Sequence, residues 1–194
     1  MSKTRTVRFP ILRIAIDAVL VALYFGLSWL SVEIGGIKLT FAGLPAMICA
    51  MVYGPIDGFL VGFLGAFCEQ MLKYGFTATT LLWLLGPAMR GLVVGCAKLI
   101  FKQAMATENL LKNHRPYVFF AVSIFAGLLV STLNTLAFYV DAKMFHYYTY
   151  ELTFGVFWLR IALGAASSLL MALVTLPVLA GVQHTTLVPK KVRS

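Results

Sequence analysis

Six long apolar runs, separated by short polar links, leave this chain few folds to choose from. They cover residues 11–32, 40–54, 56–73, 80–101, 117–140 and 152–182. An α-helix of roughly 17–25 apolar residues is what crosses a hydrocarbon layer, where each backbone donor and acceptor must be satisfied within the segment. Sixty per cent of the 194 residues are hydrophobic and 12% are charged, with a mean hydropathy of +0.89, a composition foreign to soluble domains. The expected fold is an all-α integral membrane protein, a six-transmembrane-helix bundle forming one domain over residues 1–194. The second run is short for an upright crossing, which predicts a helix partly buried in protein or broken near Pro45. "YGPIDG" (53–58) reads as a turn with Pro55 at a helix start, and "ATENLLKNHRP" (106–116) is the one sizeable polar linker. The first run is about 20 residues long and lacks a small-residue cleavage site after a shorter core, so it reads as a retained span.

Sixteen Lys and Arg against seven Asp and Glu give a net charge of +9. Nucleic-acid binding would need those cations clustered on a solvated surface; here they sit at the ends of apolar runs. With the N-terminus inside, the inner side holds Lys3, Arg5, Arg8, Arg13, Lys98, Lys102, Lys112, Arg115, Lys190, Lys191 and Arg193, and the outer side only Lys38, Lys73 and Lys143. Eleven against three is a strong positive-inside signal, so both termini are expected in the cytoplasm, with outer loops near 33–39, 74–79 and 141–151. Cys49, Cys68 and Cys96 lie inside apolar runs without metal-ligand spacing, and His114, His146 and His184 fall at span ends or in loops. No G-x-x-x-x-G-K-[ST], H-E-x-x-H or G-x-S-x-G occurs. The expectation is a chain with no catalytic residue, no metal, no cofactor and no nucleic-acid partner.

Small residues recur one turn apart at Ala18, Ala22 and Gly26 in the first run, at Gly54, Gly58, Gly62 and Ala66 in the third, and at Gly91 and Gly95 in the fourth. Such stripes let helices approach closely, either within the bundle or against a partner. Polar and aromatic residues crowd the expected outer half: Glu69, Gln70, Tyr74, Thr79, Trp83, Asn134, Tyr139, Asp141, His146, Tyr147, Tyr148, Tyr150, Trp158 and Arg160. An interfacial aromatic belt accounts for "HYYTY" (146–150); it does not account for Asn134 or the arginines. Arg90, inside "WLLGPAMRGLVVG" (83–95), lies about 15 Å from the start of its run, and Arg160 about 12 Å from the start of the sixth. An arginine at that depth costs about 3 kcal/mol on insertion scales and calls for a partner or a wet cavity. Glu69, Asp57 and Asp17 are the possible internal partners, with Arg13 nearer to Asp17; the alternative is an anionic ligand. The candidate binding set is Trp83, Arg90, Asn134, Tyr139, Trp158 and Arg160.

Six spans in under 200 residues, "AVLVA" (18–22), "LPAMICAMVYGPIDGFLVGFLGAFCEQ" (44–70) and "YGFTATTLLWLLGPAMRGLVVG" (74–95) together resemble the substrate-binding S component of an energy-coupling factor (ECF) vitamin transporter, most closely the pantothenate type. The resemblance implies a subunit that captures a vitamin from outside and docks on a transmembrane coupling subunit driven by two cytoplasmic ATPases. It also implies that Ala18 and Ala22, with Gly26 one turn on, form part of the docking face. Pantothenate offers a carboxylate for an arginine; folate, with two carboxylates, suits two arginines equally. A free-standing secondary carrier is the alternative of another class, and only Asp17 and Glu69 could cycle protons for it.

The charge asymmetry generates a topology prediction. An impermeant thiol reagent applied to intact cells should label a cysteine placed at His146 and miss one placed at Asn109; the opposite pattern removes the cytoplasmic assignment of the termini.

Overall fold

The computed structural model describes residues 8–34, 37–106 and 116–183. Among these are six α-helices, α1 (Arg8–Trp29), α2 (Gly43–Val52), α3 (Pro55–Lys73), α4 (Thr80–Ile100), α5 (Tyr117–Met144) and α6 (Phe157–Gln183), with a short π-helical turn at Glu151–Gly155. They follow the six apolar runs, and α1 from Ile11, α4, α5 and α6 up to Val182 are each long and apolar enough to cross a membrane. The segment expected as a plain outer loop contains a two-stranded antiparallel hairpin, β1 (Val32–Ile34) and β2 (Ile37–Leu39), registered Val32↔Leu39 and Ile34↔Ile37. Two short β-prone runs flanking a Gly-Gly dipeptide were the available signal. α5 also continues four residues past its expected end, so Asp141 and Lys143 are helical. Of the inward-counted cations, Lys3, Arg5, Lys112, Arg115, Lys190, Lys191 and Arg193 lie outside the described residues, as do His114, His184 and most of the 106–116 linker.

α2 is not broken at Pro45. The proline falls in the first turn, where its missing N–H would have had no helical partner anyway. All ten residues of α2 are buried, so its uniformly apolar sequence reflects a helix enclosed by protein on every side. It packs against α1, α3, α4 and α6. The chain then reverses within a few residues: Tyr53 closes α2 through its N–H to the Cys49 carbonyl (2.8 Å), and Gly54 takes φ 115°. That conformation is open to glycine and costly to any side chain. Pro55 starts α3.

The glycines of the third and fourth runs are spent inside the bundle. α3 and α4 make the most extensive helix pair, crossing antiparallel with backbone against backbone. A Cβ at Gly62 would meet the Pro87 carbonyl oxygen at 2.5 Å, one at Gly58 would meet the Ala50 Cβ at 2.6 Å, and one at Gly91 would collide with the backbone of Gly58. α5 and α6 use the same device where Gly127 faces Ser168 and Gly164 faces Ser131, a crossing that periodicity alone did not single out. α1 is peripheral. Arg13 donates to Asp57 at one end, and Tyr24, 3% exposed, seats its ring over Gly65 at the other. Its Ala18, Ala22 and Gly26 are exposed, and nothing lies within 4 Å of a Cβ built at Gly26.

The two glycine environments should separate experimentally. Gly91→Ala forces α3 and α4 apart, and overpacking of this kind costs about 1–3 kcal/mol; Gly26→Ala meets no atom and should be neutral or slightly stabilising. Unfolding of both variants in detergent checks the contrast, and equal loss would mean that the α1 stripe is packed.

Candidate functional site

At the end of the bundle carrying the hairpin, the 74–79 connection and the π turn, the helices separate around a two-chambered cleft. The inner chamber, about 200 Å³, is lined from α1 by Tyr24, from the start of α2 by Gly43, from α4 by Trp83, Pro87 and Arg90, from α5 by Val130, Ser131, Asn134 and Phe138, and from α6 by Arg160, Leu163, Gly164, Ser167 and Met171, with Thr40 beside them. The outer chamber, about 570 Å³, adds Ala66, Glu69, Gln70, Tyr74, Thr77, Asp141, Phe145 and Tyr147. Tyr24, Thr40, Trp83, Pro87, Asn134 and Phe138 line both, so the chambers join at an aromatic waist. An apolar and aromatic wall with a few convergent polar groups is the usual makeup of a small-molecule site.

Four of the six sequence candidates, Trp83, Arg90, Asn134 and Arg160, therefore come together on one wall system. Two do not. Tyr139 packs against Tyr148 and Phe154 with the Lys143 ammonium 5.3 Å from its ring centre, and Trp158 is 76% exposed. Both sit on helix faces that a 3.6-residue period turns away from the cleft. Sequence reasoning did not single out Tyr24, Gly43, Ser131, Phe138 or Met171. Asn134 and Phe138, one turn apart, would have led to Ser131 and Val130 on the same face of α5.

Arg90 is the electrostatic centre of the inner chamber. It is 7% exposed, its Nη1 lies 2.9 Å from the Met171 sulfur, and its stem runs across Gly43, where a Cβ would stand 2.8 Å from Cδ and 3.0 Å from Nη1. The three acids proposed as internal partners are engaged elsewhere. Asp57 takes Arg13, Glu69 lies 3.3 Å from Lys73, and Asp17 accepts the Cys49 thiol at 3.3 Å; the Arg13–Asp17 pairing expected from their spacing gives way to Arg13–Asp57. Among the described residues no carboxylate stands within ion-pair distance of Arg90. Arg160, which lines the inner chamber only, holds its guanidinium carbon 4.6 Å from the Phe138 ring centre, a cation–π contact that keeps the charge against the chamber wall. Asn134 reaches α4 at Gly86, where a Cβ would collide with its Oδ1.

The mouth has the opposite character. Asp141 accepts hydrogen bonds from the Thr79 and Tyr147 hydroxyls. Burial and the neighbouring carboxylate push the Tyr147 hydroxyl up to about 12, so it stays protonated and remains a donor at any physiological pH. Glu69 stands further round the same chamber. The cleft thus carries two carboxylates on its outer chamber and two guanidinium groups on its inner one. Among the described residues no group of three or more His, Cys, Asp or Glu is arranged to hold a metal ion.

Residues 8–184 match the family model described as ECF-type riboflavin transporter, S component. Over 87 residues the chain is 32% identical to UPF0397 proteins of Aliivibrio fischeri strains MJ11 and ATCC 700601 / ES114, a stretch covering 43% of this chain and 45% of each relative. The match therefore spans a little under half the length of those relatives.

Gly43 reads as the seat of Arg90, and this is testable without any ligand. Gly43→Ala should lower stability by about 1–3 kcal/mol through the clash with the arginine stem. Most of that loss should vanish in an Arg90→Ala background, where the same space is empty; an undiminished loss in the double variant would show that Gly43 serves its own helix and not Arg90.

Proposed function

The chain belongs to the ECF-type riboflavin transporter S component family, and on that premise we propose that it is the substrate-capturing subunit of a vitamin importer, taking a carboxylate-bearing vitamin from outside the cell. The family is one of membrane transport subunits, not enzymes. The chain's part is recognition, with no bond made or broken; import would rest on a transmembrane coupling subunit and two cytoplasmic ATPases. In this reading residues 1–194 form one domain of six spans, α2 and α3 completing the set with α1, α4, α5 and α6. Both termini are cytoplasmic, and the end with the cleft faces outward.

The observation that carries the substrate reading is Arg90: buried, on the cavity wall, and without a carboxylate of the described residues beside it. A planar guanidinium pairs with a carboxylate through two parallel hydrogen bonds, and burial makes that contact strong. Pantothenate suits the site, its carboxylate toward Arg90 or Arg160, its amide near Asn134 and its apolar branch against Trp83. Folate, with two carboxylates, meets the same floor. The family description favours riboflavin instead, whose ring is neutral and draws no charge pairing from either arginine.

Calorimetric titration of pantothenate, its neutral alcohol pantothenol, folate and riboflavin separates these. In the wild type the acid should bind more tightly than the alcohol. Arg90→Gln or Arg160→Gln, whichever removes the contact, should cost about 30-fold or more in affinity for the acid and erase that preference. Tight riboflavin binding untouched by either substitution would move the substrate to a neutral ring; an acid preference that survives both variants would place carboxylate recognition on other residues.

Docking on the coupling subunit falls to the exposed stripe of Ala18, Ala22 and Gly26. Ala22→Trp should leave vitamin binding by the isolated chain within about twofold while reducing uptake by the full transporter at least about tenfold, because a large side chain blocks close helix approach. Proton-driven accumulation by the purified chain alone in liposomes would favour a free-standing carrier.

A further inference from the structure

We propose that Asp141 is the latch of the cleft, a single carboxylate that ties together the two chain connections bounding its mouth and so sets how readily the cavity opens. The proposal takes the cleft as the binding site but is independent of which molecule enters it. One connection is the 74–79 segment between α3 and α4. It is fixed from within: the Thr77 N–H donates to the Thr80 hydroxyl at 2.8 Å, and the Thr77 hydroxyl lies 3.3 Å from that of Thr79. Thr79, fully buried, then donates its hydroxyl to Oδ1 of Asp141.

The other connection leaves the end of α5. Phe145 caps the helix through its N–H to the Asp141 carbonyl (3.0 Å), His146 takes φ 64°, and the Tyr147 N–H returns to the Ala142 carbonyl (3.1 Å). A left-handed residue followed by this backward hydrogen bond is a common helix ending, ordinarily built with glycine. Here it folds the chain back along its own helix. The Tyr147 hydroxyl reaches Oδ2 of Asp141, and its ring meets the edge of Phe138 at 6.0 Å. Each oxygen of one carboxylate thus holds one side of the mouth, and Phe138, Asp141 and Tyr147 all line the outer chamber. Among the described residues no cation stands within ion-pair reach of Asp141; Lys143, two residues on, lies over the Tyr139 and Tyr148 rings. The two hydroxyls are therefore the donors that satisfy the carboxylate, and hydrogen bonds to a charged acceptor are the stronger kind.

Access can be measured without a ligand. In protein carrying Cys49→Ala, Cys68→Ala, Cys96→Ala and Ser131→Cys, held in lipid nanodiscs, a charged methanethiosulfonate reports entry to the inner chamber. Asp141→Ala should raise the modification rate about tenfold. The pair Thr79→Val with Tyr147→Phe, which keeps Asp141, should raise it by a similar factor, and combining all three should add nothing further. A parallel protein with Cys96 as its sole cysteine, beyond Arg90 on α4, should react at an unchanged rate. Constant modification at the Ser131→Cys site in both backgrounds overturns the latch, as does an equal rise at Cys96, which would mean general loosening. Should Asp141→Ala not fold, the Thr79→Val/Tyr147→Phe protein carries the comparison alone, and an unchanged rate there overturns the latch. Because no vitamin is used, failure here is separate from failure of the substrate assignment.

Discussion

The backbone contact between α3 and α4 is the interaction on which the rest of the bundle depends. Lipid tails are as apolar as leucine, so helices in a bilayer gain little from hiding apolar side chains; they gain from close packing. Gly58 against Gly91, and Gly62 against the Pro87 carbonyl, bring two helix axes as near as a backbone allows. Successive residues on a helix point about 100° apart. With Gly91 committed to α3, Arg90 is therefore turned toward Gly43 of α2 and Met171 of α6, onto the wall of the cleft. The same crossing, with α2 enclosed beside it, makes the far end of α4 one side of a cavity.

Charge is distributed so that the acids of the bundle are satisfied away from the floor of the cleft. Asp57 is held by Arg13 and Glu69 by Lys73, while Asp17 and Asp141 are satisfied by uncharged donors, a thiol and two hydroxyls. Among the described residues this leaves Arg90 as a buried cation with a sulfur, not a carboxylate, near its nitrogen. A buried charge without a counter-ion is costly, and an anionic occupant would relieve that cost. Under the proposed function, the substrate carboxylate supplies the partner that the described residues do not.

The small-residue stripes divide by position. Those of α3 and α4 are consumed by contacts within the chain, and that of α1 is exposed. α1 is attached along another face, by Arg13 and Tyr24 at its two ends, which leaves Ala18, Ala22 and Gly26 open to close contact. The cleft and this stripe occupy different surfaces, so substitutions at one need not disturb the other.

The membrane class, the six helical segments and part of the residue set that lines the cleft were legible along the chain, because hydropathy, helix period and buried charge are local properties. The sequence also pointed to Arg90, Arg160, Asn134 and Trp83, since polar groups in apolar runs demand an explanation wherever they fall. Tertiary structure decided which helix faces meet. It turned Tyr139 and Trp158 away, brought in Tyr24 from α1, Gly43 from α2 and Met171 from α6, gave Arg13 to Asp57 in place of Asp17, and folded Tyr147 back onto Asp141 through the left-handed turn at His146. These are contacts between segments far apart in the chain, or turns against local preference. They are fixed by how closely glycine lets helices approach and by which donors remain once they have, and neither quantity exists until the helices are packed.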